Sequence, residues 1–296
     1  MNSKKTVLVT GATGLIGRAL CPLLEANGHQ VRSLSRSAGD YRWDPAAATI
    51  DSTALDGVDA VIHLAGESVA QRWTAAAKRR ILDSRLQSSA LLAAEILKRD
   101  RPVSYISASG INYYGFASDA LLDESADSGE GFLAEVCRQW EGAAQALIDA
   151  GHRCVFVRTG VVLSPEGGAL AKLLPPFKAG LGGKISSGDQ MMSWISLNDL
   201  ARVYLRSLEE ETVSGPLNAV APVAVTNQEF TQAMGAILKR PTVLPLPAFA
   251  VKLMFGEMGR ETLLSDLRVE PARLHAMGFS WEHANMDDAL NALLKK

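Results

Sequence analysis

Three glycines, Gly11, Gly14 and Gly17, interrupt the β-branched run Thr6-Val-Leu-Val-Thr10 and give way to Arg18-Ala-Leu-Cys-Pro-Leu-Leu-Glu25. The pattern is strand, tight turn, helix. Glycine tolerates positive φ and lets backbone come close to a ligand, and the start of a helix offers unpaired N–H groups and a positive dipole end. That chemistry suits a diphosphate cradled by Gly11, Thr13, Gly14, Leu15, Ile16 and Gly17. The spacing G-x-x-G-x-x-G departs from the commoner G-x-G-x-x-G, so its place after the first strand and before the first helix carries the reading. About 20 residues further on, where an acid would hold the ribose hydroxyls of NAD, the chain has Ser35-Arg36-Ser37. A carboxylate repels a 2′-phosphate, whereas a guanidinium grips one bidentately. The expected cofactor is therefore NADP(H) in preference to NAD(H), with Arg36 on the 2′-phosphate and Arg18 as a second phosphate partner. In Asp59-Ala-Val-Ile-His-Leu-Ala-Gly66, residues Leu64, Ala65 and Gly66 leave room for a cofactor ribose. His63, inside that run, is expected to be a hydrogen-bonded core residue.

The elements that must position these residues alternate along the chain. Strands are expected at His29–Arg36, Asp59–Gly66, Pro102–Ser109 and Arg153–Gly160, and helices at Thr74–Lys98 and Phe132–Ala150. The Asp59 run is nearly continuous and apolar, as in a strand buried on both faces of a parallel sheet. This alternation predicts an α/β fold with a doubly wound parallel sheet. Past Ser164 the texture changes: Gly167-Gly168, Pro175-Pro176 and Gly180-Leu-Gly-Gly183 punctuate the chain. Trp194-Ile-Ser196, a helix over Asn198–Glu209, Pro216–Pro222 and a capped helix over Asn227–Leu238 follow, and Pro241 to Pro247 lead into a final helical segment. Residues 1–164 are thus expected to form the dinucleotide-binding domain, with some later segments returning to it. Residues 165–296 are expected to form a smaller α/β region folded as a substrate cap over the strand ends.

The 296 residues are 47% hydrophobic and 21% charged, with a net charge of -2, which points to no nucleic-acid or membrane partner. Cys21, Cys137 and Cys154 lie far apart and are expected as reduced, buried thiols of a cytoplasmic protein. The five histidines lack metal-ligand spacing, so no metal is expected. Met1-Asn-Ser-Lys-Lys5 carries no apolar leader, and no later stretch is long and apolar enough to span a bilayer.

Thr10–Gly17, His63-Leu-Ala-Gly66, Tyr114-Gly115 and Arg158-Thr-Gly-Val-Val-Leu163 together resemble the extended short-chain dehydrogenase/reductase superfamily, which includes sugar-nucleotide epimerases and dehydratases. Phe132–Glu141, Gly188–Ile195, Asn218–Pro222 and Phe255-Gly-Glu-Met258 resemble more narrowly its atypical "epimerase family protein" branch. About residues 246–294 resemble the small domain of unknown function that this branch carries. The resemblance implies a Rossmann fold, an oxidoreductase or epimerase acting on a small molecule, and a pocket bordered by Lys184 and Gln190–Trp194. Dimers are usual among such relatives, so a homodimer is the assembly it implies.

The superfamily's catalytic pair is a Tyr-x-x-x-Lys on the helix lining the cofactor, preceded by a strand-end Ser or Thr. The lysine contacts the nicotinamide ribose and lowers the tyrosine pKa. With Glu141 taken as the family's helix glutamate, those two positions hold Leu133 and Cys137, and that helix contains no tyrosine. The Ser/Thr slot, four residues before Tyr114, is Gly110, with Ser109 beside it. Ser109 and Tyr114 are the remaining catalytic candidates, with Tyr113 behind them. Asp123-Glu124 is expected in a solvated loop. The alternative is a non-catalytic NADP(H)-binding or redox-sensing module.

Overall fold

The computed structural model describes residues 4–295; Met1 to Ser3, part of the stretch read for a leader, lie outside them. The chain begins with β1 (Thr6–Thr10), α1 (Leu15–Ala26), β2 (Gln30–Ser35), β3 (Tyr41–Asp44), β4 (Thr49–Ile50), β5 (Ala60–His63), α2 (Ala75–Ile96) and β6 (Ser104–Gly110). A 3-10 turn at Ile111–Tyr114 leads to β7 (Ala117–Leu122), α3 (Phe132–Gly142), α4 (Gln145–Asp149), β8 (Cys154–Thr159) and β9 (Val161–Leu163). Then come α5 (Gly168–Lys178), β10 (Met191–Met192), β11 (Trp194–Ser196), α6 (Leu197–Glu209), β12 (Gly215–Ala219) and β13 (Val225–Thr226). The last elements are α7 (Asn227–Leu238), α8 (Ala248–Glu261), β14 (Asp266–Val269), α9 (Ala272–Ala276) and α10 (Met286–Leu294).

Eight strands form one sheet in the order β12-β8-β6-β5-β1-β2-β3-β4, parallel apart from the β3–β4 hairpin. The chain winds outward from β1 in both directions, as the alternation predicts. Val7, Leu8, Val9, Val61 and Ile62 are wholly buried because helices cover both faces. Leu20 and Leu24 of α1 join Leu200, Tyr204 and Leu208 of α6 on one face. Leu91, Leu92 and Ile96 of α2 join Leu147 of α4 on the other. All the C-terminal ends of the parallel strands therefore share one edge, with the turn after β1 and the residues after β5 side by side on it.

Beyond Ser164 the chain does not leave the sheet for good: β12 pairs parallel with β8, and α6 packs on α1. A separate cluster of Leu170, Leu174, Phe177, Trp194, Phe230, Met234, Met286 and Leu290 ties α5, α7 and α10 together. Trp194, expected at the pocket border, is instead fully buried in that cluster, and its indole N–H donates to the Val223 carbonyl at 3.1 Å. Helix α7 starts on a capping box between Thr226 and Glu229.

Two element expectations change. The helix expected over Phe132–Ala150 breaks into α3 and α4, because Gly142 closes α3 and favours ending over continuing. The C-terminal segment is helical but contains β14, which pairs parallel with β7. Its alternation, with Leu267 and Val269 buried and Arg268 exposed, is a period of two hidden between helical stretches. Within α8, Gly256 sits at φ +59, a kink that suits glycine. Among the described residues no helix is long and apolar enough to cross a membrane.

Candidate functional site

The turn after β1 is closed by Gly14 N–H donating to the Gly11 carbonyl at 2.9 Å, with Gly11 at φ +70. A side chain on Gly17 would be driven into the Gly11 carbonyl and the Ala12 backbone, so the turn admits only glycine there. A Cβ on Gly11 would lie 3.0 Å from the Leu64 carbonyl carbon and 3.1 Å from the Ala65 nitrogen. The turns at the ends of β1 and β5 therefore touch, and Leu64, Ala65 and Gly66 stand beside the glycine triad.

Helix α1 begins on Gly14, with no side-chain cap and no acid in its first turn. Its first N–H groups, at Leu15 and Ile16, have no partner within the helix, and Thr13 and Gly14 beside them are exposed. This end fits an anion, and the carboxylate that would compete is absent. Arg18 and Arg36 are both exposed, and among the described residues neither takes a protein acceptor. The nearest acid in sequence after Arg36, Asp40, is used up: it accepts from Ser33 N–H at 2.7 Å and Ser33 Oγ at 2.9 Å, bonds that draw its carboxyl below the usual range.

His63 forms the floor between the two turns. It is completely buried, as expected of a core residue. Thr10 Oγ1 already accepts from Leu64 N–H and Ala65 N–H, each at 3.1 Å, so its hydrogen goes to His63 Nδ1 at 2.7 Å. Nε2–H then donates to Ser88 Oγ at 2.9 Å, and Ser88 donates to the Ser84 carbonyl. This network assigns the neutral Nε2–H tautomer. Burial, with Arg85 nearby as a lesser cause, pushes the imidazole down to about 3.

At the ends of β6 and β8 the polar groups are bound to one another. Ser109 Oγ donates to Glu141 at 2.7 Å, and Arg158 grips the same carboxylate bidentately through Nε at 2.9 Å and Nη2 at 2.8 Å. Tyr114 is 4% exposed; its hydroxyl donates to Asn218 at 2.8 Å and accepts from Arg158 Nη1 at 3.0 Å. Burial raises its pKa. The two sequence candidates are thus held in one network, with the Tyr114 proton committed to Asn218 and the Ser109 proton to Glu141. Tyr113 is half-buried, its ring 3.4 Å from the Arg158 guanidinium carbon. Glu124, expected in a solvated loop, is buried and accepts from Asn218 N–H at 3.0 Å and Arg273 N–H at 3.3 Å, which joins β12 and α9 to the loop.

Helix α3 carries Leu133 and Cys137 buried where the resemblance expects tyrosine and lysine. Its first N–H groups are closed off by Glu261, which is 1% exposed and accepts from Phe132 N–H at 3.1 Å and Leu133 N–H at 3.0 Å. Burial raises all three thiols, Cys21 and Cys137 to about 11 and Cys154 to about 12, so none is a thiolate at neutral pH.

The strand-edge region also gathers residues the sequence did not single out. Arg85 of α2 lies against Gly66, and Asn218 and Glu261 complete contacts across more than 100 residues of chain. Arg85 sits in a basic helix beside Lys78, Arg79 and Arg80 and looks like its neighbours in sequence.

Residues 7–219 match the NAD dependent epimerase/dehydratase family, and residues 246–293 match a domain of unknown function, DUF1731. "Epimerase family protein SDR39U1" from Homo sapiens is 39% identical over 295 residues, covering 97% of this chain and 99% of that protein. "Epimerase family protein ML0860" from Mycobacterium leprae is 40% identical over 293 residues, covering 97% of this chain and 95% of that one. The crystal structure of human SDR39U1 (isoform 2) with NADPH aligns with a TM-score of 0.89 at 37% identity, over 98% of this chain and 99% of that chain. A nucleoside-diphosphate sugar epimerase from Corynebacterium glutamicum aligns at 0.83 and 35% identity, over 99% of this chain and 58% of that one. The chain belongs to the NAD dependent epimerase/dehydratase family.

Proposed function

We propose that this family member binds NADP(H) and works as an oxidoreductase or epimerase on a small molecule without a Tyr-x-x-x-Lys pair. The observation that carries the reading is the anion-ready end of α1, free of acids, with Arg36 exposed past β2 where an NAD-type site would hold a carboxylate. The NADPH in the related human structure supports the same choice. Gly11 to Gly17 would hold the diphosphate, Arg36 the 2′-phosphate, and Leu64 to Gly66 the ribose.

The bound nicotinamide would supply the hydride chemistry, and the chain supplies orientation and polarity. Ser109, whose hydrogen is held by Glu141, is left as an acceptor and so fixes a substrate hydroxyl rather than protonating a carbonyl. Arg158 holds the Glu141 carboxylate in place through two hydrogen bonds and so keeps Ser109 aligned. Leu133 and Cys137, together with the committed Tyr114 hydroxyl, favour a second reading, in which a bound dinucleotide is a structural group or a redox signal.

The test is a titration with NADPH followed by absorbance at the reduced-nicotinamide band against sugar nucleotides, quinones and small carbonyls, with a product assay for redox-neutral epimerisation. Turnover that Ser109→Ala lowers at unchanged NADPH affinity sustains the enzyme reading. Tight binding with no turnover or product gives the second reading, and absence of NADPH binding rejects both.

A further inference from the structure

We infer that Arg85 is a cofactor-binding residue that supplies the cation at the nicotinamide-ribose end of the dinucleotide, in the place left by Cys137. The inference rests on the NADP(H) reading above.

The strand order sets the geography. A dinucleotide whose diphosphate lies on the turn after β1 extends one way over β2, where Arg36 waits, and the other way over β5 and β6. The second half must therefore cross Gly66, the exposed residue past β5. The Arg85 guanidinium is placed there: a Cβ on Gly66 would lie 3.2 Å from its Cζ and 3.4 Å from both terminal nitrogens. Its position is fixed by Nη1, which donates to the Glu67 carbonyl at 3.1 Å and the Ile81 carbonyl at 2.9 Å. Its carbon lies 4.8 Å from the centre of the Trp140 ring. One turn before Trp140 on α3, Cys137 abuts Gly110 at the end of β6.

Two features mark this cation as one that awaits a ligand. Among the described residues Arg85 makes no ion pair; Glu67 favours its charge only from beyond 4.0 Å, and burial of a cation without a bonded acid is costly. Among those residues, too, Nε and Nη2 take no protein acceptor, so donors remain beside the surface that the ribose would cross. A lysine at position 137 would set a second cation against this one. Cys137 and Arg85 therefore form a single arrangement, in which the charge comes from α2 instead of α3. The chemistry recognised is a pair of ribose hydroxyls with the adjoining phosphate oxygen, which a planar guanidinium can bond together.

Three ligands separate this role from a general one: NADPH, 2′-phospho-ADP-ribose, which lacks only the nicotinamide, and 2′,5′-ADP, which lacks the second phosphate and its ribose. Calorimetric titration of Arg85→Met should show NADPH and 2′-phospho-ADP-ribose weakened by about tenfold or more, as for a lost charged hydrogen bond, with 2′,5′-ADP unchanged. Arg85→Lys, which keeps a cation at shorter reach, should recover part of the loss. Unchanged NADPH affinity in Arg85→Met overturns the inference while leaving the NADP(H) reading intact. Equal weakening of all three ligands also overturns it, because the residue is then structural. If Arg85→Met does not fold, Arg85→Lys decides alone: selective weakening of the two longer ligands supports the inference, and an unselective result overturns it. Failure of the wild-type protein to bind NADPH rejects the reading on which the inference stands.

Discussion

Helices α1 and α3 both start on a glycine, Gly14 and Gly131, and neither is capped by its own side chain. Their N-termini have opposite fates. At α1 nothing among the described residues fills the first N–H groups, and Arg18 and Arg36 are exposed. At α3 a buried carboxylate from the far end of the chain, Glu261, accepts from Phe132 and Leu133. A helix end that is near the surface and left unfilled is a place for a ligand's charge; one that is filled from inside is a joint between two parts of the fold. The difference also explains the altered chemistry of α3. Where its relatives in the wider superfamily are expected to present a phenol, this helix presents Leu133, whose backbone is already engaged in holding α8.

The strongest way to break the comparison is to destroy the open end. Gly17→Val forces a side chain into the Gly11 carbonyl and Ala12, neither of which is the far end of a flexible side chain. NADPH binding should be lost altogether, with a clear fall in Tm, both read from one thermal-shift series with and without NADPH. A smaller and more selective effect is expected at the rim. Arg36→Ala removes an exposed cation that has no protein partner among the described residues, so stability should hold. NADPH affinity should fall by about 10- to 100-fold, the range for a charged hydrogen bond, while NADH affinity stays the same. Equal losses for the two cofactors would remove Arg36 from the 2′-phosphate.

The open end was legible in the sequence and the filled one was not, for a physical reason. Gly11, Gly14, Gly17 and the start of α1 are one local stretch whose backbone geometry follows from residue type. Arg36 is read from the end of the very next strand. His63 could be placed in the core because its neighbours are continuous and apolar. The catalytic candidates fared differently because their surroundings are assembled from distant segments: Tyr114 meets Asn218 across 104 residues, and Leu133 meets Glu261 across 128. Glu124 is illegible for the same reason, since a polar loop sequence carries no sign of the Asn218 and Arg273 N–H groups it receives. Resemblance places Trp194 at the pocket, yet its indole finds a backbone carbonyl inside the α5–α7–α10 cluster.

The filled end offers a sharper test of what filling does. Glu261→Ala leaves the Phe132 and Leu133 N–H groups without the acceptor that caps α3. The expected cost is about 1–2 kcal/mol, the scale of a lost N-cap, seen as a lower urea midpoint at an unchanged slope. If the comparison of the two helix ends holds, the variant should also gain what α1 already has: phosphate or sulfate should raise its Tm more than that of the wild type. Arg36 is far from this change in sequence and role, so cofactor discrimination should stay as it was. A variant with unchanged stability would make Glu261 a bystander and undo the contrast.

The smallest effect concerns the floor beneath the open end. His63 is neutral in the fold, with its pKa pushed down to about 3 by burial, against an ordinary 6.5 in the unfolded chain. Protonation would also take the Nδ1 lone pair from Thr10, which anchors Leu64 and Ala65. The unfolded chain therefore binds the extra proton between these two values. The stability associated with the neutral imidazole is complete above about pH 6.5 and declines as pH falls toward 3, by about 1.4 kcal/mol per pH unit well inside that window. His63→Gln loses stability at pH 7 through its broken hydrogen bonds but has no proton to take up. Urea unfolding at pH 7 and pH 5 should therefore show a smaller pH-dependent loss in the variant than in the wild type. Equal losses would mean that the ring beneath the glycine turn already shares its proton with solvent, and that the floor is not the sealed layer on which the open end rests.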